Sequence, residues 1–127
     1  FRGNYMKKMI VSLKTPGQTL SDFGKALSKA RKGKLKSSHF EVSFDNKKDF
    51  DRFVKNISIL ISIQQLKPNS IYELSKLLDK DQSSLNKLIV FFEDIGVIKV
   101  EERKVKGRNV KSPKVEYDRI EFKLDAA

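Results

Sequence analysis

The 127-residue sequence predicts an α+β fold. Apolar residues recur at helical spacing through its middle and alternate with polar ones near its ends. Two helix-start signals stand close together, at Ser70 and at Asp81, and the second helix they imply is followed by a strand, a basic stretch and a closing strand. Helix, short turn, helix, strand, basic hairpin, strand is the order of a winged helix-turn-helix, and here a strand-helix extension precedes it. The length suits one compact domain with a short extension, and 39% hydrophobic residues are enough for a core.

Each element has a local reason. Phe1–Tyr5 precede Met6, the expected natural start, so residues 1–5 are expected to be a cloning remnant. Residues 6–40 form the basic N-terminal extension. In it Met9–Leu13 reads as a short strand ended by Pro16-Gly17, and Leu20, Phe23, Leu27 and Ala30 as one face of a helix stopped at Gly33. The winged-helix domain is expected over 41–124. Phe40, Val42 and Phe44 alternate as a strand does, Asp45 is placed to cap the next helix with Asp49 in its first turn, and Phe50, Phe53, Val54 and Ile57 supply a buried face. Ile57–Ile63 is ambiguous, since it alternates partly like a strand and is rich in β-branched residues. The two helices that follow need a core partner, which favours a helix there.

Ser70-Ile-Tyr-Glu73 has capping-box form, and Ile71, Leu74, Leu77 and Leu78 make an apolar stripe. Asp81 is placed to cap a second helix from about Gln82 to Ile95, with Gly96 as its stop. Val97–Val100 then reads as a strand, Arg103–Pro113 as a basic loop, and Val115–Tyr117 with Ile120–Leu124 as the returning strand.

Charge supplies the first functional clue. The chain carries 27 Lys and Arg against 16 Asp and Glu, a net +11, which suggests a polyanionic partner whose counterions clustered cations release. Residues 1–40 hold ten Lys/Arg against the single acid Asp22. Two runs stand out: Lys29, Arg31, Lys32, Lys34 and Lys36, and then Arg103, Lys104, Lys106, Arg108, Lys111 and Lys114 with no acid inside it.

The second helix of the pair is the one that would enter a major groove by its N-terminal end. Leu85, Ile89 and Phe92 take its core face, leaving Gln82, Ser83, Ser84, Asn86 and Lys87 at the exposed leading edge as candidate base readers. Gln and Asn can pair bidentately with adenine, Ser adapts to several base edges, and Lys serves guanine or phosphate. Arg103, Lys104, Lys106, Arg108 and Lys111 are the candidate phosphate contacts of the wing, with Lys32, Lys34 and Lys36 as an auxiliary grip.

The stretches Ser70-Ile-Tyr-Glu-Leu-Ser-Lys-Leu-Leu, Asp81 through Glu93-Asp-Ile-Gly-Val-Ile98, and Val115-Glu-Tyr-Asp-Arg-Ile-Glu-Phe resemble a family of small prokaryotic predicted transcriptional regulators with a MarR-like winged-helix domain. The resemblance covers about Met9 to Leu124, and its ending is more specific than its helix-turn-helix. It implies a DNA-binding regulator, expected to repress its own operon. Some members are antitoxin-like, which implies a cognate toxin as a further partner. The sequence departs from that pattern where Gln82-Ser-Ser84 is neutral and where Leu88, Val90 and Phe91 make the helix unusually apolar. Two explanations stand for the apolar surplus: extra core contact with the N-terminal segment, or a surface for a second subunit or protein partner.

Other classes are thinly supported. There is one histidine, His39, and no cysteine, so cysteine nucleophiles and multi-His metal sites are absent and no enzyme, metal or cofactor is expected. Glu41, Asp45, Asp49 and Asp51 form the one acidic cluster, and capping explains two of them more simply than Mg²⁺ does. No Gly-rich phosphate loop is present. An RNA-binding or ribosome-associated module is the alternative that charge leaves open, followed by a protein-interaction antitoxin without functional DNA binding. With no long apolar run, no secretory stretch and no cysteine, a cytoplasmic location and no membrane partner are expected. A homodimer is expected, because paired half-sites are how small readers gain affinity.

Overall fold

The computed structural model describes residues 7–14 and 39–125. In chain order these form β1 (Lys8–Leu13), β2 (His39–Phe44), α1 (Lys47–Lys55), α2 (Ile57–Leu66), α3 (Ile71–Leu78), α4 (Gln82–Asp94), β3 (Lys99–Val105), β4 (Arg108–Lys114) and β5 (Arg119–Phe122). The fold is thus mixed α and β, with four helices and two sheets among the described residues. The helix expected across Leu20–Ala30 and the cations Lys29, Arg31, Lys32, Lys34 and Lys36 lie outside the described residues. The chain divides into two compact units, Phe1–Arg52 with Tyr117–Ala127, and Phe53–Glu116, so the 41–124 span is shared between them.

The first unit is built on a three-stranded sheet of order β2-β1-β5, in which β1 pairs in parallel with both neighbours. Alternation explains the strands. Met9 and Val11 on central β1 are fully buried, Val42 and Phe44 on β2 nearly so, and Val11 is in register with both Val42 and Phe122. Ser12 and Ser43, also in register, bring their hydroxyls to 3.3 Å. The Phe50 ring meets Phe44 and Phe122 edge-on at 5.9 and 6.3 Å, so the start of α1 covers the Val11–Phe44 face. Two local expectations are corrected. The cap of α1 is Asn46, not Asp45: the Asn46 side chain accepts from the Asp49 N–H at 2.8 Å, the spacing an N-cap requires. The returning strand is only Arg119–Phe122, and it joins β1 instead of the hairpin, with Val115–Tyr117 outside any strand.

In the second unit Phe53 meets Phe92 edge-on at 5.9 Å, and Ile59, Leu60, Ile63, Ile71, Leu74, Leu85, Ile89, Val97 and Ile98 complete the core. The ambiguous stretch is helix α2. Ile59, Leu60 and Ile63 share one helical side, and Ser62 returns its hydroxyl to the Ser58 carbonyl one turn back. It ends where Lys67, in the left-handed region, donates its N–H to the Ile63 carbonyl just before Pro68. On α3 the buried face is Ile71, Leu74 and Ser75, so Leu77 is 54% exposed despite its place in the expected stripe, because it falls outside the i, i+3, i+4 set. Val54 is likewise 42% exposed.

The α3–α4 turn consists of Asp79, Lys80 and Asp81. Asp79 takes the left-handed conformation, and the Lys80 N–H returns to the Ser75 carbonyl at 2.9 Å. Gly96 (φ 87°) closes α4 in the same way, with the Val97 N–H on the Phe92 carbonyl at 3.0 Å. The expected basic loop Arg103–Pro113 is mostly β-ladder: β3 and β4 pair antiparallel from Lys99↔Lys114 to Val105↔Arg108, and Val97-Ile98 is buried approach instead of strand. Only Lys106 and Gly107 turn the corner, both at positive φ (53° and 80°), the backbone of a tight type I′ hairpin. Charged residues on both faces hid this ladder from an apolar-alternation test.

Candidate functional site

The leading edge of α4 is set by its cap. The Asp81 carboxylate accepts the Ser84 N–H at 2.9 Å, and that bond, then one to the Ser84 side chain, holds its pKa below the ordinary value, with Lys87 adding attraction. Leu85, Ile89 and Phe92 anchor the helix in the core at 1% exposure or less. By helical geometry Gln82, Ser83, Ser84, Asn86 and Lys87 then face outward, and all five are exposed. Of the apolar surplus, Leu88 and Phe91 are half-buried, with the Phe91 ring tilted against Phe92 at 5.5 Å, and Val90 is left exposed.

α3 packs on both α4 and β4. Its start is fixed by the Ser70 hydroxyl, which accepts the Glu73 N–H at 3.0 Å, while the Glu73 carboxylate reaches one residue further back than a strict capping box, to the Asn69 N–H at 2.7 Å. This places Tyr72, 56% exposed, in one concavity with Ser70, Gln82, Asn86, Asn109 and Lys111. Asn86 and Lys111 continue into an adjoining concavity with Val90, Glu93, Val100 and Glu102, where acids replace amides.

Strand alternation splits the hairpin cations between two faces. Register puts Glu102 opposite Lys111 and Lys104 opposite Asn109 on one face, and Arg103 opposite Val110 and Val105 opposite Arg108 on the other. Lys106 stands at the turn. Arg103 departs most from the expected set. Its guanidinium donates to the Asn69 side-chain oxygen at 3.1 Å and lines a third concavity with Gln64, Lys67, Pro68, Lys114 and Glu116. Lys114 pairs with Glu101 at 3.1 Å and Lys99 with Glu116 at 3.3 Å. Lys104, Lys106, Arg108 and Lys111 pair with no acid among the described residues.

Two residues of this surface were missing from the sequence-based set. Tyr72 hides inside the capping motif, and its signal was its place off the apolar stripe, one turn before Lys76, whose ammonium lies 5.1 Å from its ring centre. Asn109 was submerged in the presumed loop. The acidic cluster resolves into local contacts: Asp45 and Asp49 accept from the Asn46 amide, and Asp51 pairs with Lys47 at 2.6 Å. Among the described residues no group of three or more His, Cys, Asp or Glu is placed to hold a metal, and no helix is long and apolar enough to cross a membrane.

A family model, HVO_A0114, matches residues 54–122, and the chain belongs to that family. No curated protein and no solved structure matches it.

Proposed function

We propose that this member of the HVO_A0114 family is a winged helix-turn-helix protein that binds double-stranded DNA as a transcription regulator, with α4 as its reading helix and the β3–β4 hairpin as its wing. The observation that carries the reading is the concavity in which Gln82 and Asn86 of α4 meet Asn109 and Lys111 of β4. Amide side chains there suit base edges, and a cation at the rim suits phosphate. Caps at Ser70 and Asp81 fix where α3 and α4 begin, and the β3–β4 ladder sets the register of Asn109 and Lys111. The acids of the adjoining concavity, Glu93 and Glu102, bound the surface at the C-terminal end of α4 by repelling phosphate. Lys104, Lys106, Arg108 and Lys111 supply sequence-independent grip, and the net +11 steers association.

In its wider form the reading has a homodimer on paired half-sites that represses its own operon, with exposed Val90 on a surface for a toxin partner. It assigns the chain no catalytic step. The test is fluorescence-anisotropy titration against duplex from the gene's own upstream region, a scrambled duplex and single-stranded RNA, across salt. Preference for the upstream duplex with steep weakening as salt rises is expected. Equal binding to scrambled duplex removes base reading, and tighter binding to RNA makes Tyr72 a stacking platform and turns the assignment to the RNA class. Co-purification with the neighbouring gene's product tests the toxin partner, and its absence removes that part.

A further inference from the structure

We propose that Arg103 is a positioning residue, which holds the hairpin at its working angle by bonding Asn69 and does not itself grip phosphate with the other hairpin cations. The inference rests on the DNA-binding reading above. Two side chains tie the hairpin to the short α2–α3 connection. Arg103 donates to the Asn69 side-chain oxygen at 3.1 Å, and Ser112, 1% exposed, donates to the Pro68 carbonyl at 3.1 Å. The acceptors are consecutive residues. The donors share one face of the hairpin, since Ser112 stands opposite Glu101 and Arg103 two residues further along the same strand.

The hollow that Arg103 lines shares no residue with the reading concavity. Arg103 lines a hollow with Gln64, Lys67 and Pro68, while Lys111 and Asn109, on the other face, line the one with Gln82 and Asn86. A guanidinium drawn toward Asn69 is therefore held beside the α2–α3 connection, whereas Arg108, on the same face, stands next to the Lys106-Gly107 turn at the tip, so the Asn69 bond and not the face alone keeps Arg103 from the phosphate backbone. Asn69 is itself fixed, because its N–H is held by Glu73 in the first turn of α3. The chain Arg103–Asn69–Glu73 thus couples the start of α3 to the angle of the hairpin. Lys106 sits three residues, or about 10 Å of strand, beyond the anchor, so a tilt of about 10° there moves the tip by about 2 Å, enough to break a phosphate contact.

The experiment measures duplex affinity against salt for the full chain, for Asn69→Ala, for Arg103→Ala and for the double variant. Amide exchange of residues 104–109 is measured in parallel without DNA. Asn69→Ala removes no charge. If Arg103 positions the hairpin, it nevertheless weakens binding about fivefold or more and flattens the salt slope as Arg103→Ala does, the double variant is no worse than either single one, and both singles lose amide protection at the tip. The inference is overturned if Asn69→Ala keeps wild-type affinity and slope while Arg103→Ala alone loses about 0.9 in slope, the mark of one direct phosphate contact, or if the two losses simply add. Failure of the wild-type chain to bind any duplex overturns the DNA reading and Arg103's role in it. Unchanged amide protection in both variants removes the anchor whatever the DNA result.

Discussion

If the proposed DNA-binding function holds, replacing Lys104, Lys106 and Arg108 together by Gln isolates the hairpin's contribution to DNA affinity. All three are exposed and pair with no acid among the described residues, so their loss breaks no ion pair among those residues and leaves the ladder and its Lys106-Gly107 turn in place. Each phosphate contact contributes about 0.9 to the slope of log affinity against log salt, so three lost contacts flatten it by about 2.7. Between about 50 and 200 mM salt, a fourfold range, the wild-type affinity then falls about 40-fold more than the variant's. The assay is anisotropy titration at four or five salt concentrations, with thermal unfolding to check that the variant is folded. Lys99→Gln with Lys114→Gln is the control, because those cations are already partnered by Glu116 and Glu101. An unchanged slope in the triple variant refutes the placement of the phosphate contacts. Equal flattening in the control shows that net charge matters and the hairpin's position does not.

Three further outcomes follow from the same geometry. Gln82→Ala with Asn86→Ala should cost about 1–3 kcal/mol per good base contact and relax sequence preference, read by competition with single-base operator variants, while leaving the salt slope unaltered. Gly107→Ala meets nothing within 4 Å, so its cost is the positive φ alone, about 1–2 kcal/mol in chemical denaturation, and a neutral result contradicts the type I′ turn. Asp81 is bonded by the Ser84 amide, which places its folded-state pKa below the ordinary 3.8. Its capping contribution is therefore present above that value and fades as pH falls through the lowered one, so Asp81→Asn, which caps without titrating, should show a flatter acid limb in thermal unfolding between about pH 5 and 2. Identical acid limbs in the two proteins argue against that bond.

The caps at Ser70, Asp81 and Gly96 were legible because each joins residues three to five apart, a range at which backbone geometry alone decides the partner. The core face of α4, Leu85, Ile89 and Phe92, was legible by helical period, as was the outward face opposite it. Where two neighbouring residues competed for one role the sequence was less informative. Asn46 displaced Asp45 as a cap, and Leu77 and Val54 were counted inward although each lies just off the buried side. The surface placement of Tyr72 and Asn109 depends on how three elements meet, which no local pattern records.

The sequence by itself determined α1, α3 and α4, the caps at Ser70, Asp81 and Gly96, and the existence of a strongly basic stretch after α4, since propensity, period and charge are local properties. Tertiary structure decided that α2 is a helix, because a short β-branched segment whose apolar pattern fits both strand and helix takes its form from what it packs against. It decided that β5 pairs with β1, far away in sequence, where loop closure and not local preference governs the choice of partner. It also decided which cations of the run share a face. Two-residue alternation in the ladder sends Lys104 and Lys111 to one face and Arg103 and Arg108 to the other, and antiparallel pairing brings Glu101 and Glu102 back among them.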